Sequence, residues 1–193
     1  MADGGRVIAG RASGIRLAAV GPETRALSDR VKESLFGTLE AEGVVGPGKS
    51  FLDLFAGTGA AGIEALSRGS DRATFVEKDA TALRVITDNV RRTRVEAATV
   101  VRADVSRFLE QQPSAAFDAV VVDPPYASDV LGPTLARLAD PAAGWLAGGA
   151  VVAAKHFWRA APAPQIGALE RYRERRFGET MLTFYRVPRS ADR

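Results

Sequence analysis

Between residues 50 and 154, short apolar runs alternate with stretches of helical spacing. Strands that each give way to a helix line up in parallel, so the alternation dictates a parallel sheet covered by helices on both faces. Strands are expected at residues 50–54, 73–77, 98–102, 118–122 and 150–154, and helices near 60–67, 81–91, 106–111 and 130–138. The pattern then changes. Residues 170–177 and 180–187 flank Gly178-Glu179, the signature of an antiparallel hairpin that closes a mostly parallel, seven-stranded α/β sheet. Ahead of the alternation, residues 6–9 and 15–20 read as a small β-hairpin, and a helix follows from an N-cap at Ser28 to Gly43. Hairpin and helix make an appendage over residues 1–45, and Gly46-Pro47-Gly48 joins it to a main domain over residues 46–193. Too small to bury a core of its own, the hairpin must dock on that domain, and its removal is expected to leave the rest folded.

Composition narrows the chemistry. There is no cysteine and one histidine, which excludes disulfides, thiolate metal sites and cysteine nucleophiles, and leaves little for a histidine metal centre or triad. No apolar run is long enough for a membrane span or a secretory signal, so a cytoplasmic, non-membrane protein is expected, and a monomer. Net charge is +3 but unevenly spread: residues 155–193 hold nine Lys and Arg against four Asp and Glu, while the centre is acidic. Such ends are compatible with a polyanionic partner, and equally with a solvated arginine-rich surface.

The first strand of the alternation runs directly into Asp53-Leu54-Phe55-Ala56-Gly57-Thr58-Gly59-Ala60-Ala61-Gly62, a G-x-G-x-x-G between strand and helix. Glycines at this junction let a ligand approach the backbone amides. The second strand ends at Glu77, where a carboxylate can accept both hydroxyls of a ribose, and the pair implies an adenosine-type cofactor. Asp53 helps to choose among such cofactors. A carboxylate beside a pyrophosphate is unfavourable, whereas S-adenosyl-L-methionine carries an ammonium and a sulfonium that a carboxylate attracts. Asp104, after the third strand, can take the adenine amine or cap the next helix. Phe55 and Lys78 adjoin these positions and complete the expected cofactor set.

Asp123-Pro124-Pro125-Tyr126 follows a buried apolar strand, at the edge of the sheet where open α/β folds bind ligands. Each proline holds its predecessor extended, so the Asp123 carboxylate and the Pro124 carbonyl can converge as two acceptors for one NH2 group. Pro125 fixes the turn, and Tyr126 offers a ring face to a planar base. His156 has no metal or triad partners in the sequence and reads as structural or loop-exposed rather than catalytic. The run from Arg171 to Arg176 reads as a solvated sheet face.

Taken together, DLFAGTGAAGIEAL, the acidic end of the second strand and DPPY resemble the class I S-adenosylmethionine-dependent methyltransferases that modify exocyclic amines. RVIAGRASGIRL at residues 6–17 and TRALSDRVKESLFGTL at residues 24–39 narrow the resemblance to the ribosomal RNA small subunit methyltransferase D family. That resemblance implies a Rossmann-like fold and methylation of guanine N2 in 16S rRNA, within a small ribosomal subunit or an assembly intermediate. It also implies that Asp53, Gly57 and Gly59 hold the methionine end, Glu77 the ribose and Asp104 the adenine amine. Asp123 and Pro124 would orient the target amine, with Tyr126 stacked on the base. Arg6, Arg11 and Arg16 of the hairpin, with Arg30 of the following helix, are the expected RNA contacts. The family pattern is broken at Ala9, Ser13 and Ala26. The acceptor loop would also serve adenine N6 of DNA or glutamine N5 of a protein. A nicotinamide-dependent oxidoreductase and a non-catalytic RNA-binding module are the alternatives of other classes.

Overall fold

The structure is a computed structural model and describes residues 3–21, 27–125 and 128–188. Strands β1 (Asp3–Arg6) and β2 (Arg16–Ala18) form the small antiparallel hairpin, and helix α1 (Asp29–Ala41) follows. The main sheet then builds up through β3 (Ser50–Leu54), α2 (Ala60–Ser67), β4 (Arg72–Glu77), α3 (Ala80–Thr93), β5 (Ala98–Arg102), α4 (Val105–Leu109), β6 (Phe117–Val122), α5 (Leu131–Leu138) and β7 (Leu146–Phe157). It ends with β8 (Gln165–Ile166), β9 (Leu169–Phe177) and β10 (Thr180–Arg186). The order across the sheet is β5-β4-β3-β6-β7-β10-β9-β8, with β3 to β7 parallel and β10 inserted antiparallel beside β7. This is the expected Rossmann-like α/β sheet, extended by one edge strand, β8, which is too short to leave a periodic signal in the sequence.

The parallel strands are buried on both faces because alternate side chains enter two different cores. Phe51, Ala119, Val121, Val151 and Ala153 point to the side covered by α1 and α2, while Leu52, Leu54, Val120, Val122, Val152 and Ala154 point to the side covered by α4 and α5. Helix α1 is part of the first core, and Phe36 stacks on Phe51 with ring centres 5.9 Å apart.

The hairpin is fastened to α2 and α3 by buried polar side chains. The Glu64 carboxylate, 0% exposed, accepts the Ile8 and Ala9 N–H groups at 2.8 and 3.0 Å and pairs with Arg68 at 2.8 Å. Ser67 Oγ accepts from Ala12 N–H and donates to Ala9 O. Asn89 takes both backbone groups of Ala18 and also donates to Thr58 O at 2.9 Å. Removing residues 1–18 would take two N–H donors from Glu64 and both Ala18 partners from Asn89, so the hairpin is not the dispensable trim that its size suggests.

Candidate functional site

Strand register assembles the site. Leu54 lies opposite Val76 and Val122, and Val122 opposite Ala154. One residue further on, Phe55, Glu77, Asp123 and Lys155 therefore stand in a row across four adjacent strands, at the carboxyl ends of three of them and within the longer β7. They border a cleft of about 840 Å³, large enough for a nucleoside-sized cofactor together with part of a second substrate. Asp53, Gly57, Lys78, Asp104, Pro124 and Pro125 also line it. Gly59 does not: it sits beneath the loop as the N-cap of α2. Tyr126 lies outside the described residues.

After β3 the chain reverses sharply, with Phe55 (φ 62°), Gly57 (φ 54°) and Gly59 (φ 76°) in the left-handed region. Phe55, the non-glycine of the three, holds a conformation that side chains disfavour, next to the cleft. Gly62 serves packing instead, because a Cβ there would lie 2.3 Å from the Phe75 ring.

Asp53 is 3% exposed and accepts the Gly62 N–H at 2.9 Å. Burial, with added repulsion from the Asp123 and Glu77 carboxylates, pushes its carboxyl up to about 8, against the pull of the Gly62 hydrogen bond. Among the described residues no cation pairs with it. Glu77 faces the loop, its Oε2 accepting the Gly57 N–H at 3.0 Å and its Oε1 the Lys78 and Asp79 N–H groups. Asp104 caps α4 through Oδ1, which accepts from Ser106 N–H and Oγ, and those bonds hold its carboxyl below the usual range. Its Oδ2 lies 3.7 Å from Lys78 Nζ. The residues present fit S-adenosylmethionine: buried acid for the cations, carboxylate for the ribose, and a glycine loop open to the cleft.

On the other side of the cleft, Lys155 Nζ donates to Asp123 Oδ1 at 2.6 Å. Oδ2 of Asp123 accepts nothing from the described residues, and the side chain keeps 21% exposure toward the cleft. Burial raises the Asp123 carboxyl while the Lys155 ammonium opposes the rise. Lys155 is the residue that sequence reasoning missed. The signal was a lysine ending the apolar strand Ala150 to Ala154, but only the β6–β7 pairing shows which carboxylate it meets. His156 is buried, bonded at 2.8 Å to both Phe157 O and Thr183 Oγ1, and burial lowers its pKa, so it is structural.

Of the expected RNA contacts, Arg6, Arg11, Arg16 and Arg30 are all exposed and none lines the cleft. Arg6 pairs with Asp29 at 2.8 Å, and Arg30 stands over the Phe177 ring at 5.7 Å. Among the described residues, no His, Asp and Glu cluster could hold a metal ion, and no helix is long and apolar enough to cross a membrane.

A family profile described as "Conserved hypothetical protein 95" matches residues 5–186. The ribosomal RNA small subunit methyltransferase D of Escherichia coli strain K12 is 36% identical over 148 residues, 76% of this chain and 72% of that protein. A candidate rRNA methyltransferase of Bacillus subtilis, YlbH, is 40% identical over 128 residues, which span 63% of this chain and just under two thirds (66%) of that relative. A solved Escherichia coli structure described as a candidate methyltransferase, yhhF, superposes with a TM-score of 0.81 at 31% identity, covering 96% of this chain and 98% of its own.

Proposed function

We propose that the chain, which belongs to the Conserved hypothetical protein 95 family and is 36% identical to the ribosomal RNA small subunit methyltransferase D of Escherichia coli, methylates the exocyclic N2 amine of a guanine in small-subunit rRNA. It is an S-adenosylmethionine-dependent methyltransferase in this reading, acting on the RNA of a small subunit or an assembly intermediate. The observation that carries the amine assignment is the state of Asp123: one oxygen fixed by Lys155, the other open to the cleft beside the Pro124 backbone.

A guanine amine delocalises its lone pair into the ring and is a poor nucleophile. Asp123 Oδ2 and the Pro124 carbonyl, each accepting one N–H, favour a more tetrahedral nitrogen whose lone pair points along the line of transfer. Lys155 holds the carboxylate in the orientation and ionised state that this acceptor role requires. When bound, S-adenosylmethionine would supply a methyl group on a sulfonium that leaves as a neutral thioether, and the proton shed by the methylated amine passes to Asp123 or to water. Asp53, as a carboxylate, holds the cationic end, and Glu77 takes the ribose. Residues 1–45 contribute RNA contacts through Arg6, Arg11, Arg16 and Arg30, and Tyr126 stacks on the target base.

The test is mass spectrometry of nucleosides from unmethylated small subunits incubated with the protein and S-adenosylmethionine. N2-methylguanosine is the expected product. Methyladenosine, or unmodified RNA alongside a methylated protein, would overturn the assignment.

A further inference from the structure

Beyond the acceptor loop, the carboxyl edge of the sheet carries a cationic cluster that the methyl-transfer site does not use. Trp158 follows β7, and its backbone N–H donates to Glu179 O in the β9–β10 turn at 3.0 Å. The Arg176 guanidinium carbon stands 3.9 Å from the centre of the Trp158 ring, and that of Arg159 4.7 Å from it. Arg176 Nε is further tied to Gly178 O at 2.9 Å. Both arginines are exposed, and among the described residues neither lies within ion-pair distance of a carboxylate. Two guanidinium groups against one indole repel each other, which favours an anion beside them.

The position of the cluster points to the anion. Phe157, with its ring 6.2 Å from that of Trp158, lines a second cleft of about 230 Å³ that reaches Pro124, Pro125 and Lys155. Trp158 and Arg159 follow Phe157 directly in the chain and Ala160 lines the cleft again, which sets the arginine pair beside this cleft. Resting on the RNA reading above, we propose that Arg159 and Arg176, held against Trp158, clamp backbone phosphates of the strand that carries the target base. Guanidinium forks match phosphate oxygens, and stacking on the indole leaves them less freedom to lose on binding. With its ring already occupied by the arginines, Trp158 acts as their support. Phosphate contacts of this kind set the register of a nucleotide without reading its sequence.

The experiment uses the full chain with Arg159→Gln and Arg176→Gln together, both at exposed positions. Cofactor affinity and melting temperature should match the parent. Affinity for unmethylated small-subunit rRNA should fall roughly tenfold at moderate salt, and the slope of log affinity against log salt should shrink by about two, one per lost phosphate contact. The KM for RNA should rise with little change in kcat. Unchanged affinity, or weaker binding with an unchanged salt slope, overturns the clamp. If the double variant loses affinity and salt slope as expected yet the parent methylates none of the RNA, the clamp stands and the rRNA methyltransferase reading falls.

Discussion

Two carboxylates lie in the interior of the first core's side of the sheet, and their surroundings differ. Glu64 on α2 has a guanidinium and two backbone N–H groups, a full complement that joins the hairpin to the body. Asp53, at the floor of the cleft, has one N–H and two neighbouring carboxylates. A satisfied buried charge is a fastener, whereas an unsatisfied one at a cleft is a receptor for the opposite charge. The same residue class is thus structural in one place and ligand-directed in the other, and its partners tell which.

That contrast can be broken most directly at Glu64. Glu64→Ala leaves the Ile8 and Ala9 N–H groups unpaired, takes one of its two carboxylate partners from Arg68, and should destabilise the fold by about 3–5 kcal/mol, read from denaturant unfolding. A loss below 1 kcal/mol would show that the hairpin is held by packing alone. On the functional side, Asp123→Ala should lower kcat by roughly 100- to 1000-fold, about 3–4 kcal/mol, with cofactor affinity unchanged by calorimetry. Glu77→Ala should weaken S-adenosylmethionine binding by about 2–3 kcal/mol, since ribose hydroxyls lose a charged acceptor. Lys155→Met removes the opposing charge, so the Asp123 carboxyl rises further and the acid limb of the pH–rate profile moves to higher pH. Its rate at neutral pH should fall about tenfold, with partial rescue in Lys155→Arg. An unmoved acid limb would reduce the ion pair to a packing detail.

The smallest effect is the most diagnostic of the comparison. A carboxyl raised in the folded state from 3.8 to about 8 stabilises the free protein below 3.8, and that contribution is lost as pH climbs toward 8. A cationic ligand binds the ionised form, so S-adenosylmethionine affinity should increase up to tenfold per pH unit, about 1.4 kcal/mol, until pH reaches about 8. Asp53→Asn should abolish that slope while raising the melting temperature of the free protein near pH 8. A pH-independent affinity in the parent would mean that Asp53 is already charged before the cofactor arrives.

The parallel sheet was legible because its elements are punctuated. Ser50–Leu54, Ala60–Ser67 and Ala98–Arg102 fall where the apolar pattern places them. Likewise Asp53, Glu77 and Asp123 were legible from their position at strand ends. What escaped depends on long-range register. Glu64, Ser67 and Asn89 occur in helices and look like ordinary polar surface until the hairpin is laid over them. Lys155 fell just past the strand expected at residues 150–154, yet β7 continues to Phe157 and sets that lysine beside Asp123. The arginine run of β9 was read as one solvated face, but pleating sends Arg176 to Trp158, while Arg173 reaches Thr38 of α1.

Fastening the hairpin through Asn89 also sets a timetable. Ala18 leaves the ribosome 71 residues before its partner, and Ile8 emerges 56 residues before Glu64. The hairpin is thus synthesised well before it can take its place, which needs α2 and α3 to receive it. Until then Val7 and Leu17, buried in the finished protein, are exposed on a growing chain. The protein depends, while it is being made, on that delay ending in docking rather than in aggregation.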